Sequence, residues 1–175
     1  MGYQITDCER NETYRYSLSV RTDCQSGNRL VVIQFNPSVA IENNSDPTVG
    51  KVSLWAEENN FSEVIFLNLF AYISSYTIDL AGKGYDYLVG PNNDKTLIKY
   101  ISSKATVVLA WGGDVPVPVS YYKQRLCCVK DILDSACVKP HKVGTLSYGT
   151  HPRHGRMWNK NNRKLSTLEW VEIIA

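Results

Sequence analysis

Leu30-Val31-Val32-Ile33-Gln34-Phe35-Asn36-Pro37-Ser38 is the stretch on which the reading of this chain turns. Its apolar, β-branched start has the character of a strand buried on both faces, as in a parallel sheet covered by helices. Pro37 has no N–H for a ladder and pushes Asn36 out of helical geometry, so the strand ends at that corner. Ligands of open α/β sheets collect just beyond the carboxyl ends of strands. Asn36 and Ser38 are therefore polar groups delivered to a candidate site.

Two more apolar runs read the same way. Residues 63–70 form a second buried strand with Asn68 near its end, and residues 105–111 form a third, stopped by Gly112-Gly113. Asp46-Pro47 supplies an N-cap and a first-turn proline for a helix over 49–59, with Val49, Val52, Trp55 and Ala56 on one face. Helices are also predicted over 91–104 and 121–137, and a short last strand over 143–147 runs into Tyr148-Gly149-Thr150-His151-Pro152. Residues 14–21 read as an edge strand that turns through 25–28 into a hairpin with the Leu30 strand, after an irregular segment 1–13. Strands alternating with helices predict one α/β domain over residues 1–175. The expected architecture is three-layer α/β/α with a mainly parallel central sheet, plus the N-terminal hairpin strand. Asn36, Asn68 and His151 then fall on one edge of that sheet.

Composition narrows the function classes. The net charge is only +2, so affinity for nucleic acid has to come from uneven charge. That unevenness lies at 153–164, where Arg153, Arg156, Lys160, Arg163 and Lys164 occur with no acid and are interleaved with Met157 and Trp158. Residues 1–10 lack the apolar core of a signal peptide, and no run approaches the ~18 apolar residues of a membrane span. The five cysteines are scattered without a C-x-x-C pair, which argues against zinc or iron–sulfur ligation and for reduced thiols in a cytoplasmic protein. No metal, cofactor, membrane or obligate protein partner is expected.

The blocks Asn36-Pro37-Ser38, Asp46-Pro47-Thr48, Asn68-Leu69-Phe70, Trp111-Gly112 and His151-Pro152 follow one another in order over residues 30–158. In that order they resemble the uracil-DNA glycosylase superfamily, through a small bacterial and phage family that carries the same motifs. The resemblance implies a uracil-DNA-glycosylase-like fold and a DNA glycosylase that flips a nucleotide and hydrolyses its N-glycosidic bond. It implies that Asn36 positions the attacking water, that Asn68 reads the base edge, and that His151 stabilises the departing base anion. No lysine stands at a motif corner, so an abasic site without strand cleavage is expected. Where the uracil-specific branch has a tyrosine that blocks pyrimidine C5, this chain has Ser38. The expected base is therefore a C5-modified, phage-type pyrimidine, and the setting phage defence. The leucine wedge of that branch is missing too, leaving Met157 or Trp158 as the wedge candidate among the basic residues that would hold DNA phosphates.

Each residue also has a plainer reading. Asn36 is a natural turn residue before proline, Asn68 can cap a strand end, and His151 can be an ordinary loop histidine. Asp46 reads as a helix cap before a catalytic carboxylate. Phe35 and Phe70 flank the proposed pocket, where they could stack on a base or pack the core. Three rivals to the hypermodified-base reading stay open: a uracil or damaged-base repair glycosylase, a nucleotide or nucleoside hydrolase, and a non-catalytic modified-base-binding module.

Overall fold

The computed structural model of the chain describes residues 3–39, 46–158 and 162–173. Among these, the strands are β1 (Gln4–Arg10), β2 (Arg15–Arg21), β3 (Asn28–Gln34), β4 (Phe61–Asn68), β5 (Ala105–Leu109), β6 (His141–Val143) and β7 (Leu165–Thr167). They form one sheet in the order β1-β2-β4-β3-β5-β6-β7. The helices are α1 (Pro47–Glu58), α2 (Tyr85–Val89), α3 (Asn93–Tyr100) and α4 (Val119–Ser135).

The sheet is mixed, which corrects the expectation of a mainly parallel, glycosylase-like three-layer fold. β3 runs parallel to β4 and β5, and β5 to β6, but β1–β2, β2–β4 and β6–β7 are antiparallel. Connection length explains the difference. Only β3, β4, β5 and β6 are joined in sequence by the long helical crossovers that parallel pairing needs. β1 and β2 are joined by a tight turn in which Asn11 Oδ1 accepts from the backbone N–H groups of Thr13 and Tyr14, so they can only pair antiparallel.

The opening hairpin is likewise corrected. β2 does not fold onto β3. It lies between β1 and β4, with Leu18 opposite Phe66 and Val20 opposite Val64, and its Tyr16, Leu18 and Val20 are buried. β1 stands where an irregular segment was expected, because its largely exposed QITDCER sequence carries no apolar stripe.

β3 is central, and its successive residues serve opposite faces. Leu30 and Val32 pack with Val52, Trp55 and Ala56 of α1, while Val31 and Ile33 pack with Leu97 of α3 and Leu126 and Val129 of α4. Burial on both faces is why the strand reads as an unbroken apolar run. Fully burying each such side chain contributes ~1.5–3 kcal/mol. Asp46 caps α1 as the sequence predicts, its Oδ1 accepting from Thr48 N–H with Pro47 at the first helical position. No helix of the described residues is long and apolar enough to cross a membrane.

Candidate functional site

β3 and β4 end side by side, Gln34 in register with Asn68, and the chain then departs at Asn36 on one strand and runs to Ser74 and Ser75 after the other. The start of α1, the loop after β5 and the 154–156 segment close over this corner. They leave an inner pocket of about 290 Å³ into which Gln34, Asn36, Ser38, Asp46, His154 and Arg156 all reach, with Phe35 and Trp111 as aromatic walls. An adjoining outer cleft of about 570 Å³ shares Trp111, Asp114, His154 and Arg156 and extends along Gly113, Tyr148 and Met157. A larger groove of about 770 Å³ runs between α3 and α4, lined by residues such as Ile98, Ile101 and Ile132, but it holds none of the strand-end polar groups.

Asn36 is half-buried and its orientation is fixed. Its Nδ2 donates to the carbonyls of Ser74 (3.0 Å) and Pro37 (3.2 Å). Only an amide NH₂ can satisfy two carbonyls, so Oδ1 remains as an acceptor. Asp46 uses one oxygen to cap α1 and takes a hydrogen bond from Ser38 Oγ–H on the other, at 2.7 Å. Ser38 is thus part of the pocket wall.

His154 enters because of Gly155. A Cβ on that glycine would lie 2.7 Å from Val52 Cγ2 and 3.3 Å from Thr48 Cγ2. Its absence lets the 3₁₀ turn Gly155–Met157 settle on α1, bringing the flanking imidazole to the pocket. His154 Nδ1 accepts from Arg156 N–H at 3.0 Å. A backbone N–H can only donate, so the ring proton sits on Nε2 and the imidazole is a neutral donor. Burial pushes its pKa below the usual 6.5, with Asp46 opposing that shift and Arg156 reinforcing it.

His151 lies elsewhere. It stacks on Tyr122 at 5.9 Å and shares its Nδ1 with Thr150 Oγ1. Tyr122 in turn takes the Trp111 Nε1–H at 2.8 Å, so His151 touches the pocket only through two aromatic side chains.

Asn68 is also withdrawn. It is buried, its Nδ2 donates to the Arg15 carbonyl at 3.2 Å, and it lines neither cavity. Phe35 reaches the inner pocket, whereas Phe70 packs behind it in the core, ring centroids 5.3 Å apart.

The basic segment divides. Arg156 is exposed at the pocket rim and Met157 lines the outer cleft. Arg153 Nη1 donates to the Asn162 carbonyl, and Arg163 forms an ion pair with Glu58 at 3.0 Å. Trp158 is fully buried against Trp55, which removes it as a wedge. Lys160 lies outside the described residues.

Tyr148 takes over the exposed aromatic position. It is 89% exposed with φ of 52°, and its ring covers Gly113, where a Cβ would come within 2.4 Å of it. Gln34, His154, Trp111 and Tyr148 are the site residues that sequence reading missed.

Residues 15–155 match the family model described as "protein of unknown function (DUF1643)". The chain belongs to the DUF1643 family. The matched span contains every strand end that builds the inner pocket, and it stops inside the 154–156 segment that closes it. No curated protein and no solved structure matches the chain.

Proposed function

We propose that this DUF1643 chain is a cytoplasmic, monofunctional DNA glycosylase that removes a flipped-out pyrimidine bearing a C5 substituent and leaves an abasic site. The observation that carries the reading is the meeting of an oriented acceptor, Asn36 Oδ1, a carboxylate, Asp46, and a neutral donor, His154 Nε2–H, in one pocket of about 290 Å³. That volume is at the lower end of the ~300–1,000 Å³ of small-molecule sites, suited to one ring.

Breaking an N-glycosidic bond sends the bonding electron pair onto the base and leaves cationic character at C1′. A preorganised donor aimed at the base oxygen stabilises that developing anion. His154 takes this role in place of His151. Water held by Asn36 Oδ1 supplies the new C1′–O bond, and Asp46 is the nearby carboxylate able to receive its proton. Ser38, turned toward Asp46, leaves the C5 side without an aromatic wall.

Phage defence fits a substituent-tolerant pocket, and the adjoining outer cleft offers room for the substituent or for the flanking backbone. Alkali-induced strand breakage at the modified position after incubation with the protein tests the reaction class.

A second reading, hydrolysis of a free nucleoside or nucleotide, draws on the narrow cationic surface. Arg163 is paired to Glu58 and Trp158 is in the core, so less of the basic segment is available to a duplex. Arg156→Glu separates the two. Loss of activity on duplex DNA with unchanged activity on free nucleosides favours the glycosylase.

A further inference from the structure

We infer that Gln34, rather than Asn68, is the residue that reads the ligand's edge, and that it takes a planar nitrogen heterocycle with a donor and an acceptor on adjacent atoms. This inference rests on the proposed base-binding role of the inner pocket.

Gln34 is the last residue of β3 and the only polar one in the stretch from Leu30 to Gln34. It shares the α1 side of the sheet with Leu30 and Val32, so its side chain rises toward the start of α1, where the pocket lies. Only 7% of the residue is exposed, its carboxamide bonds no described residue, and it lines the inner pocket, where a ligand can meet it.

Its register neighbour Asn68 makes the contrast. The Asn68 NH₂ is spent on the Arg15 carbonyl, which fixes the amide away from both cavities. The Gln34 amide is available, and the same pocket is lined by Phe35 and Trp111, aromatic residues that offer a flat ligand its walls.

A carboxamide offers one donor and one acceptor side by side. No group among the described residues pins which way Gln34 faces, so a half-turn of the amide lets it match either a 4-amino or a 4-keto pyrimidine. Gln34 therefore selects for the paired edge without choosing between the two kinds of pyrimidine. The Ser38 side then governs what C5 may carry.

The test uses the full chain with free uracil and free cytosine as probes, followed by NMR titration, alongside base release from duplexes containing each base or a C5-hydroxymethylated pyrimidine. Wild type is expected to bind both probes with affinities within about tenfold of each other. Gln34→Met, close in volume and without the amide, should weaken both by roughly tenfold or more while its melting temperature stays level or rises. Gln34→Glu, able only to accept when ionised, keeps one hydrogen bond to the donor of either base and sets its second oxygen against the neighbouring acceptor, so it should weaken uracil and cytosine alike.

Unchanged binding and release in Gln34→Met would overturn the inference while leaving the glycosylase reading intact. A lowered melting temperature with unchanged binding would also overturn it, by assigning Gln34 to the fold. Wild type that binds no pyrimidine and releases no base overturns both.

Discussion

Ser38 Oγ donates to Asp46 Oδ2 at 2.7 Å, while Asp46 Oδ1 caps α1 through Thr48 N–H. Ser38, which the proposed function places at the C5 side of the pocket, is thereby tied to the cap of the helix that forms its wall. Asp46 consequently serves the fold and the site together, and substitution can separate the two. Asp46→Asn keeps a capping oxygen and should melt within about 0.5 kcal/mol of wild type, because asparagine caps as well as aspartate. It loses the carboxylate, and base release should fall at least tenfold. Asp46→Ala should additionally cost ~1 kcal/mol of stability by thermal or urea denaturation. Full activity in Asp46→Asn would reduce Asp46 to a cap.

On the proposed mechanism, protonation of His154 should make base release pH-dependent. Its folded-state pKa lies below the 6.5 of the unfolded chain, through burial, and Nδ1 is occupied as an acceptor. The unfolded chain therefore takes up the proton first. The stability contributed by the neutral ring is full above pH 6.5 and is lost as the pH falls through the lower folded value. Base release should show an acid limb in the same window, as the proton displaces the Arg156 N–H. His154→Ala should abolish that limb and cost on the order of 10²-fold in rate, the usual loss for one anion-stabilising donor. A limb unchanged in His154→Ala but removed in His151→Ala would return the role to His151.

Tyr148 has the exposure and the strain of a residue kept for contact. A non-glycine side chain at positive φ costs ~1–2 kcal/mol, and this one is spent on an aromatic ring that is 89% exposed beside the outer cleft. Tyr148→Gly should leave the melting temperature level or raised. If Tyr148 is the wedge that Trp158 cannot be, release from duplex substrate should fall by about tenfold or more, with single-stranded substrate affected less, because no ring then fills the stack vacated by the flipped nucleotide. Equal losses on both substrates would remove the wedge role.

Trp158→Ala tests the opposite case. Trp158 is fully buried against Trp55 and bonds the Arg153 carbonyl through Nε1, so its truncation should cost ~3–5 kcal/mol of stability in a urea melt. A near-native melt with a selective loss of duplex activity would mean the ring leaves the core to contact DNA.

Much of the fold was legible where one physical cause dominates. The apolar runs read at 30–35, 63–70 and 105–111 overlap β3, β4 and β5, which lie inside the sheet with apolar contacts on both faces, so their sequences are largely apolar. Asp46-Pro47 marked the start of α1 through capping chemistry that needs no tertiary context. Strand direction was not legible, because it depends on connection length and pairing partner. β1, with its polar exposed residues, gave no sign that it would pair with β2, nor did the sequence show that β4 would enter between β2 and β3.

The site was legible to the extent that it follows strand ends. Asn36 and Ser38 do reach the pocket, as the corner at Pro37 implied. Asn68 does not, because its amide is captured by the Arg15 carbonyl of the neighbouring strand β2, which is distant in sequence. The choice of His151 over His154 followed the His-Pro dipeptide. The close approach of Gly155 to Val52 and Thr48, which no local pattern encodes, is what brings His154 in. Gln34 did leave a trace, as a lone amide in an apolar strand.

The account stands most directly on base release by wild type and Asn36→Ala. Duplexes carrying uracil, cytosine or a bulky C5-modified cytosine would be incubated with each protein, the freed bases quantified by mass spectrometry, and DNA affinity measured in parallel. The account predicts release of the C5-modified base by wild type, with the free base and an abasic site in equal amounts. It predicts a loss of ~10²-fold or more in Asn36→Ala with DNA affinity retained. No released base from any duplex, or release at the wild-type rate by Asn36→Ala, would contradict it.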